Sequence, residues 1–214
     1  VIEAFYDGYA ALSFHDWDFI VKLDGDLSFE PVYFEECFRR FREDLKLGIC
    51  GGAVWSRAGE RLVNDGQNDP KFHVRGATKI YRRACWEQIS PLVKAPGWDT
   101  IDEVKANMFG WRTVTFRDLK LIQHKVTGSA DGTWGNAFKN GVANYIAGYH
   151  PLFMLAKCVR RLIGEGRILA PVALWAGFCS GYLRGLPRVE DRRVLRYLRR
   201  QQIFRILGKP SIYG

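Results

Sequence analysis

Asp24-Gly25-Asp26 sets two carboxylates one residue apart, directly after the run Trp17-Asp18-Phe19-Ile20-Val21-Lys22-Leu23. That run is short, apolar and partly β-branched, which predicts a buried strand. In open α/β sheets, ligands bind beyond the carboxyl ends of the strands. Two acids there can reach one hard divalent cation. Mg²⁺ and Mn²⁺ favour oxygen ligands and commonly bridge one or two carboxylates to substrate phosphates. A solvated surface turn is the bland alternative for any Asp-x-Asp. The surroundings argue against it: a strand precedes the pair, and Pro31, a residue favoured at helix starts, opens a helical pattern through Tyr33, Phe34, Cys37, Phe38 and Phe41.

Further along, His124 follows Leu121-Ile122 near the end of another apolar stretch. A neutral imidazole there can add a metal ligand or touch a diphosphate, although a lone histidine is more often an ordinary core or surface residue. Arg75, Arg82 and Arg83 lie near Gly76, whose missing side chain lets a substrate approach the backbone. Guanidinium forks suit diphosphate oxygens; solvated charges beside a strand explain these arginines equally well. Asp99, Asp102 and Glu103 sit at the start of a helical pattern over 100–109 that stops at Gly110, a fitting cap. The helix dipole alone favours acids in a first turn. Gly128, Gly132 and Gly135 space a loop of the kind that closes over a ligand, or a plain surface loop.

These side chains need a frame. The pattern predicts a helix ending near residue 12, strands over 17–23, 47–55 and 72–81, and helices over 31–41 and 82–89. Shorter strands follow over 113–116 and 119–124. The stretch 57–70 is rich in Asn, Asp and Gly and reads as a loop. Strands alternating with helices in this first part imply an α/β sheet covered by helices. Beyond residue 135 the character changes to helical patterns over 136–163, an apolar run 168–183 and an Arg-rich helix 189–207.

A hydrophobic content of 47% and a charged content of 26% over 214 residues exclude a disordered chain. Five widely spaced cysteines without a C-x-x-C pair argue against a disulfide framework or a zinc site, and for a reducing, cytosolic setting. The net charge of +9 belongs to the tail: from Lys157 onward there are thirteen Lys/Arg and three acids, leaving nineteen against twenty before it. An electrostatic partner therefore meets the C-terminal segment. No nucleic-acid motif accompanies the charge, so no nucleic-acid partner is expected. The uncharged run Ile168 to Leu183 has 16 residues, interrupted by Pro171, Gly177 and Gly181, and is short of the roughly 20 that a crossing needs. It fits a helix lying on an anionic membrane surface beside the arginines that follow it, or one packed on the rest of the protein.

Four stretches, taken in order, resemble family 2 glycosyltransferases. KLDGDLSFEPVYFE is similar to that family's aspartate motif, and HVRGATKIYRRACWEQI to its acceptor-side strand and helix. GWDTIDEVKANMFGWRT resembles its acidic catalytic helix, and LKLIQHK its strand ending in a metal-proximal His. The resemblance covers about residues 1 to 130. It implies an incomplete GT-A fold, a Rossmann-like mixed sheet flanked by helices over 1–135, with a basic helical annex over 136–214. It also implies inverting transfer of a sugar from a nucleotide-sugar donor to a hydroxyl on a glycan or lipid-linked acceptor. Asp24, Asp26 and His124 would hold Mg²⁺ or Mn²⁺, and Asp24, Arg75 and Arg82 would meet the donor. An Asp at the start of the acidic helix would be the general base. Aligning on Gly110 favours Asp99 and aligning on the adjacent acids favours Asp102 with Glu103, so both stay open. Members of the family begin with a nucleotide-binding strand and loop not visible in this sequence. The chain is therefore expected to be truncated and, as it stands, to bind nucleotide poorly. The expected location is the cytoplasm, with the tail on the inner face of the cell membrane.

Overall fold

The computed structural model describes residues 2–14, 16–58, 61–125, 132–165 and 168–214. The chain forms two compact units, Val1–Lys94 with Lys105–Val126, and Ala95–Val104 with Thr127–Gly214.

The first unit is built on a six-stranded sheet: β1 (Phe19–Leu23), β2 (Leu27–Phe29), β3 (Leu47–Ala58), β4 (Arg61–Asn64), β5 (Thr78–Arg82) and β6 (Arg112–Gln123). The order is β1-β5-β3-β6-β2, with β4 paired to β3. Only β3 and β6 run parallel; the other pairs are antiparallel. β1 and β2 thus lie at opposite ends of the ladder, yet only Asp24-Gly25-Asp26 separates them. Five strands laid flat at about 4.8 Å spacing would set their outer members about 19 Å apart. The chain from Leu23 to Leu27 can span at most about 14 Å. The sheet therefore curls until its two edges meet at the Asp-Gly-Asp turn.

What fills the curl is α2 (Tyr33–Glu43). Its Tyr33, Cys37 and Phe41 are buried in one cluster with Leu47 and Cys50 of β3, Ile80 of β5 and Leu121 of β6; Phe19 and Val21 of β1 and Leu27 and Phe29 of β2 pack against it. Every strand of the ladder gives apolar side chains to this cluster, which is why the strands and α2 form together. A Cβ on Gly52 would overlap the Leu119 carbonyl and the Tyr33 ring, so the glycine lets strand and helix close up. The Tyr33 hydroxyl accepts the Gly52 N–H at 3.0 Å and bonds the Thr78 hydroxyl at 2.9 Å. Also in this unit are α1 (Ile2–Ala10) and α3 (Arg83–Ile89). None of the five cysteines is in a disulfide.

Several elements differ from the sequence reading. β2 is a three-residue strand, too short for a period to show. β4 falls in the stretch read as loop; it pairs with β3 while three of its four residues stay exposed, which is why it is polar. Residues 72–77 stay outside the ladder, and β5 begins at Thr78. β6 is one strand, not two. A bulge lies between the pairs Gly52–Phe116 and Ala53–Lys120, so the polar Arg117-Asp118 interrupts the pattern without ending the strand.

The second unit consists of α5 (Gly132–Ile146), α6 (Pro151–Glu165), α7 (Leu169–Leu183) and α8 (Arg192–Ile206), with Ala95–Val104, which holds the first part of α4 (Trp98–Met108). Gly132 and Gly135 lie in α5, not in a loop; Gly128 lies outside the described residues. α5 and α7 touch backbone to backbone: a Cβ on Gly141 would overlap the Leu174 carbonyl, and one on Gly177 the Phe138 carbonyl. α8 is capped by Asp191, whose carboxylate accepts the N–H groups of Arg193 and Val194 at 2.9 and 3.1 Å. The segment after α8 folds back on it. Gln201 accepts the Ile212 N–H at 3.0 Å, and Gln202 donates to the Tyr213 hydroxyl at 3.1 Å. Among the described residues no helix is long and apolar enough to cross a membrane.

Candidate functional site

The turn that joins the sheet edges carries the first set of candidates. Side chains two apart on an extended chain share a face, and Lys22 and Asp24 do so: the buried Lys22 ammonium donates to the Asp24 carboxylate and to the Gly76 carbonyl. The Asp24 N–H donates to Ala77 at 2.9 Å, fixing the turn to the segment before β5. On the other side, Leu27 pairs with Gln123, so the next rung brings Asp26 beside His124. The His124 N–H donates to the Asp26 carbonyl at 2.9 Å, and the Gln123 amide reaches the Asp26 carboxylate at 3.3 Å. His124 Nε2 lies 3.0 Å from the Ser28 hydroxyl. The two residues are far apart in sequence and adjacent in the sheet.

As a cation site this is of the open kind. Among the described residues no three His, Cys, Asp or Glu side chains converge on one point. Mg²⁺-type sites need no such cage, since one or two carboxylates with substrate phosphates and water complete the shell. The Asp26 carboxylate suits that role. Asp24 is already matched by Lys22, so a cation there would share it with an ammonium. Lys22 escaped the sequence reading, although a lysine within an apolar strand, two before an Asp, was a readable signal.

The arginines separate. Arg82 donates Nε to the Leu47 carbonyl at 2.9 Å and Nη2 to the carbonyls of Phe41 and Asp44, and lies over the Phe41 and Phe19 rings. Its fork closes the end of α2 and the start of β3. Arg83 is a surface residue paired with Glu87 and stacked on Trp17. Arg75 lines a recess of about 360 Å³, counting its open mouth, together with Lys71, His73 and Arg117. Its Nη1 is 3.8 Å from an Asp69 carboxylate oxygen and has no hydrogen-bond partner among the described residues.

The acids of α4 belong to the second unit. Asp102 and Glu103 are buried, at 2% and 0% exposure, whereas Asp99 in the first turn is partly exposed. Beside this turn lies Tyr149, hydrogen-bonded to Thr100 and Tyr213. Burial pushes its hydroxyl up to about 12, with the charges of Asp99 and Glu103 adding to the rise against those two hydrogen bonds, so it stays protonated at neutral pH. Tyr213 is in turn held by Gln202, which also accepts the His150 N–H at 2.7 Å. Tyr149, Tyr213 and Gln202 come from three places in the chain.

No protein-family profile and no curated protein matches the sequence. Among solved structures the chain is similar to the mannosyltransferase PcManGT from Pyrobaculum calidifontis in complex with GDP-Man and Mn²⁺. The TM-score is 0.50 at 13% identity, covering 99% of this chain and 55% of that one. The chain thus spans about half the length of this neighbour. The likeness shows the fold: a curled, mixed α/β sheet flanked by helices, a partial Rossmann-like fold of the glycosyltransferase kind.

Proposed function

We propose that this protein transfers a sugar from a nucleoside-diphosphate sugar to an acceptor hydroxyl with inversion, in the manner of family 2 glycosyltransferases, using Mg²⁺ or Mn²⁺. The observation that carries the proposal is the meeting of Asp26 and His124 at the turn where the sheet closes on itself. The neighbour's complex with GDP-Man and Mn²⁺ supports a nucleotide-sugar donor.

In this reading the Asp26 carboxylate, steadied by Gln123, and His124 hold the cation, which when bound offsets charge building on the leaving diphosphate. Lys22 keeps Asp24 in place and supplies positive charge beside the same turn. Arg75 is the arginine suited to a diphosphate, since Arg82 is engaged by carbonyls. Asp99 takes the acceptor proton: of the three acids it has solvent access, while Asp102 and Glu103 are buried and suit a supporting role. The acceptor is a glycan or a lipid-linked sugar.

The test is Mn²⁺-dependent release of nucleoside diphosphate from a panel of nucleotide-sugars. We expect Asp26→Ala to lower turnover by at least about 100-fold, and Asp99→Asn by about 10²–10⁴. Undiminished release from Asp26→Ala sinks the proposal. The 214 residues are expected to turn over slowly. Tight binding of a nucleoside diphosphate by the chain alone, measured by calorimetry, would contradict that expectation.

A further inference from the structure

α6 presents its apolar side to solvent. Leu152, Leu155, Val159, Leu162 and Ile163 are all exposed, Leu152 by 60% and Ile163 by 79%, while Met154 and Cys158 are buried. At about 100° per residue the five outward residues and Ala156 fall on one face roughly 120° wide. The exposed face of a surface helix normally carries the charges. Here the cation Arg160 stands at the edge of the face, and residues 151–164 contain no acid. At the start of α7 Ile168, Leu169 and Val172 are exposed as well, and the exposed Leu183 and Arg184 lie at its other end. On α8, which packs on α6, Arg192, Arg193, Arg196 and Arg200 are exposed.

We propose that this face of the second unit docks the protein on an anionic lipid surface, with α6 lying in the interface. A continuous apolar patch on a protein surface marks something that covers it, and the charge of the unit that carries it selects the occupant. From Lys157 onward the chain has thirteen Lys/Arg and three acids. Two copies laid face to face would bring these cations together; anionic headgroups satisfy them while the acyl region takes the leucines. No described helix is long and apolar enough to span, so the contact lies on the surface. This contact differs from the one the sequence pointed to. The run 168–183 turns much of its apolar surface inward, burying Ala173, Leu174, Gly177, Phe178 and Gly181. α6 carries the outward stripe.

The experiment is co-sedimentation of the whole chain with vesicles of pure phosphatidylcholine and of an equal mixture with phosphatidylglycerol. We expect binding to the anionic vesicles that weakens in 0.5 M salt and weak binding to the neutral ones. The triple variant Leu152→Gln/Leu155→Gln/Val159→Gln should lose at least about tenfold in affinity, because three large side chains no longer enter the interface. Its melting temperature should be unchanged, since all three are exposed in the free protein. Leu45→Gln, a 75% exposed leucine of the first unit, serves as control and should bind as the parent does. Three results overturn the proposal. One is no binding to anionic vesicles. Another is binding that the triple variant retains, which would assign it to the arginines alone. The last is a parent dimer by light scattering that the triple variant dissolves, which would give the face to a second copy. None of these readouts depends on sugar transfer, so the proposal stands or falls apart from it.

Discussion

Arg82 and Arg75 came from one motif and present opposite cases. The Arg82 guanidinium satisfies the carbonyls of Phe41, Asp44 and Leu47. Leaving buried carbonyls without donors costs about 1–3 kcal/mol each, so Arg82→Met should lower stability by about 2–4 kcal/mol in urea denaturation. Arg75 stands beside Lys71 and Arg117, with the Asp69 carboxylate 3.8 Å from its Nη1. Arg75→Met relieves repulsion as it removes a charge, and its effect should lie within about 0.5 kcal/mol. If the two variants change places, the roles given to these arginines are reversed. From sequence they could not be told apart. Both flank the same segment, and what separates them is that the carbonyls at the end of α2, about 40 residues earlier, happen to face Arg82.

At the scale of elements, what could be read followed from local pattern. α2 announced itself through Pro31 and an apolar stripe, and α4 through Gly110, whose φ of 88° is a conformation glycine adopts without strain. β2 and β4 could not be read, because three or four residues with little burial leave no period, and they exist only because β6 and β3 offer free edges. The start of α5 was missed for a related reason. Gly132 and Gly135 look like loop residues, and a Cβ at Gly132 would meet only open space; further along the same helix, Gly141 meets the backbone of α7. That contact gives a sharp prediction. Gly177→Val must push α5 and α7 apart where their backbones touch, and should cost at least about 3 kcal/mol, in the range of severe overpacking. Gly164→Ala, in α6 with open space around it, should be neutral or slightly stabilising. Thermal melts of the two variants distinguish them. A mild Gly177→Val would mean that the helices separate more easily than their closeness implies.

At the scale of the whole molecule, the placement of the Asp-Gly-Asp turn couples binding to folding. The ladder runs from β1 to β2, and these three residues are all that ties its first strand to its last. Whatever grips Asp26 and His124 together therefore also clasps the hoop, and its binding energy resists opening of the first unit. With Mn²⁺ and a nucleoside diphosphate at ten times their dissociation constant, linkage predicts a rise in melting temperature of about 3–6 °C, absent in Asp26→Ala. The same geometry works in reverse. Fraying of the β2–β6 pairing separates Asp26 from His124 before any side chain is altered, so a cation held by the two, as proposed, should be released on warming before the helices melt.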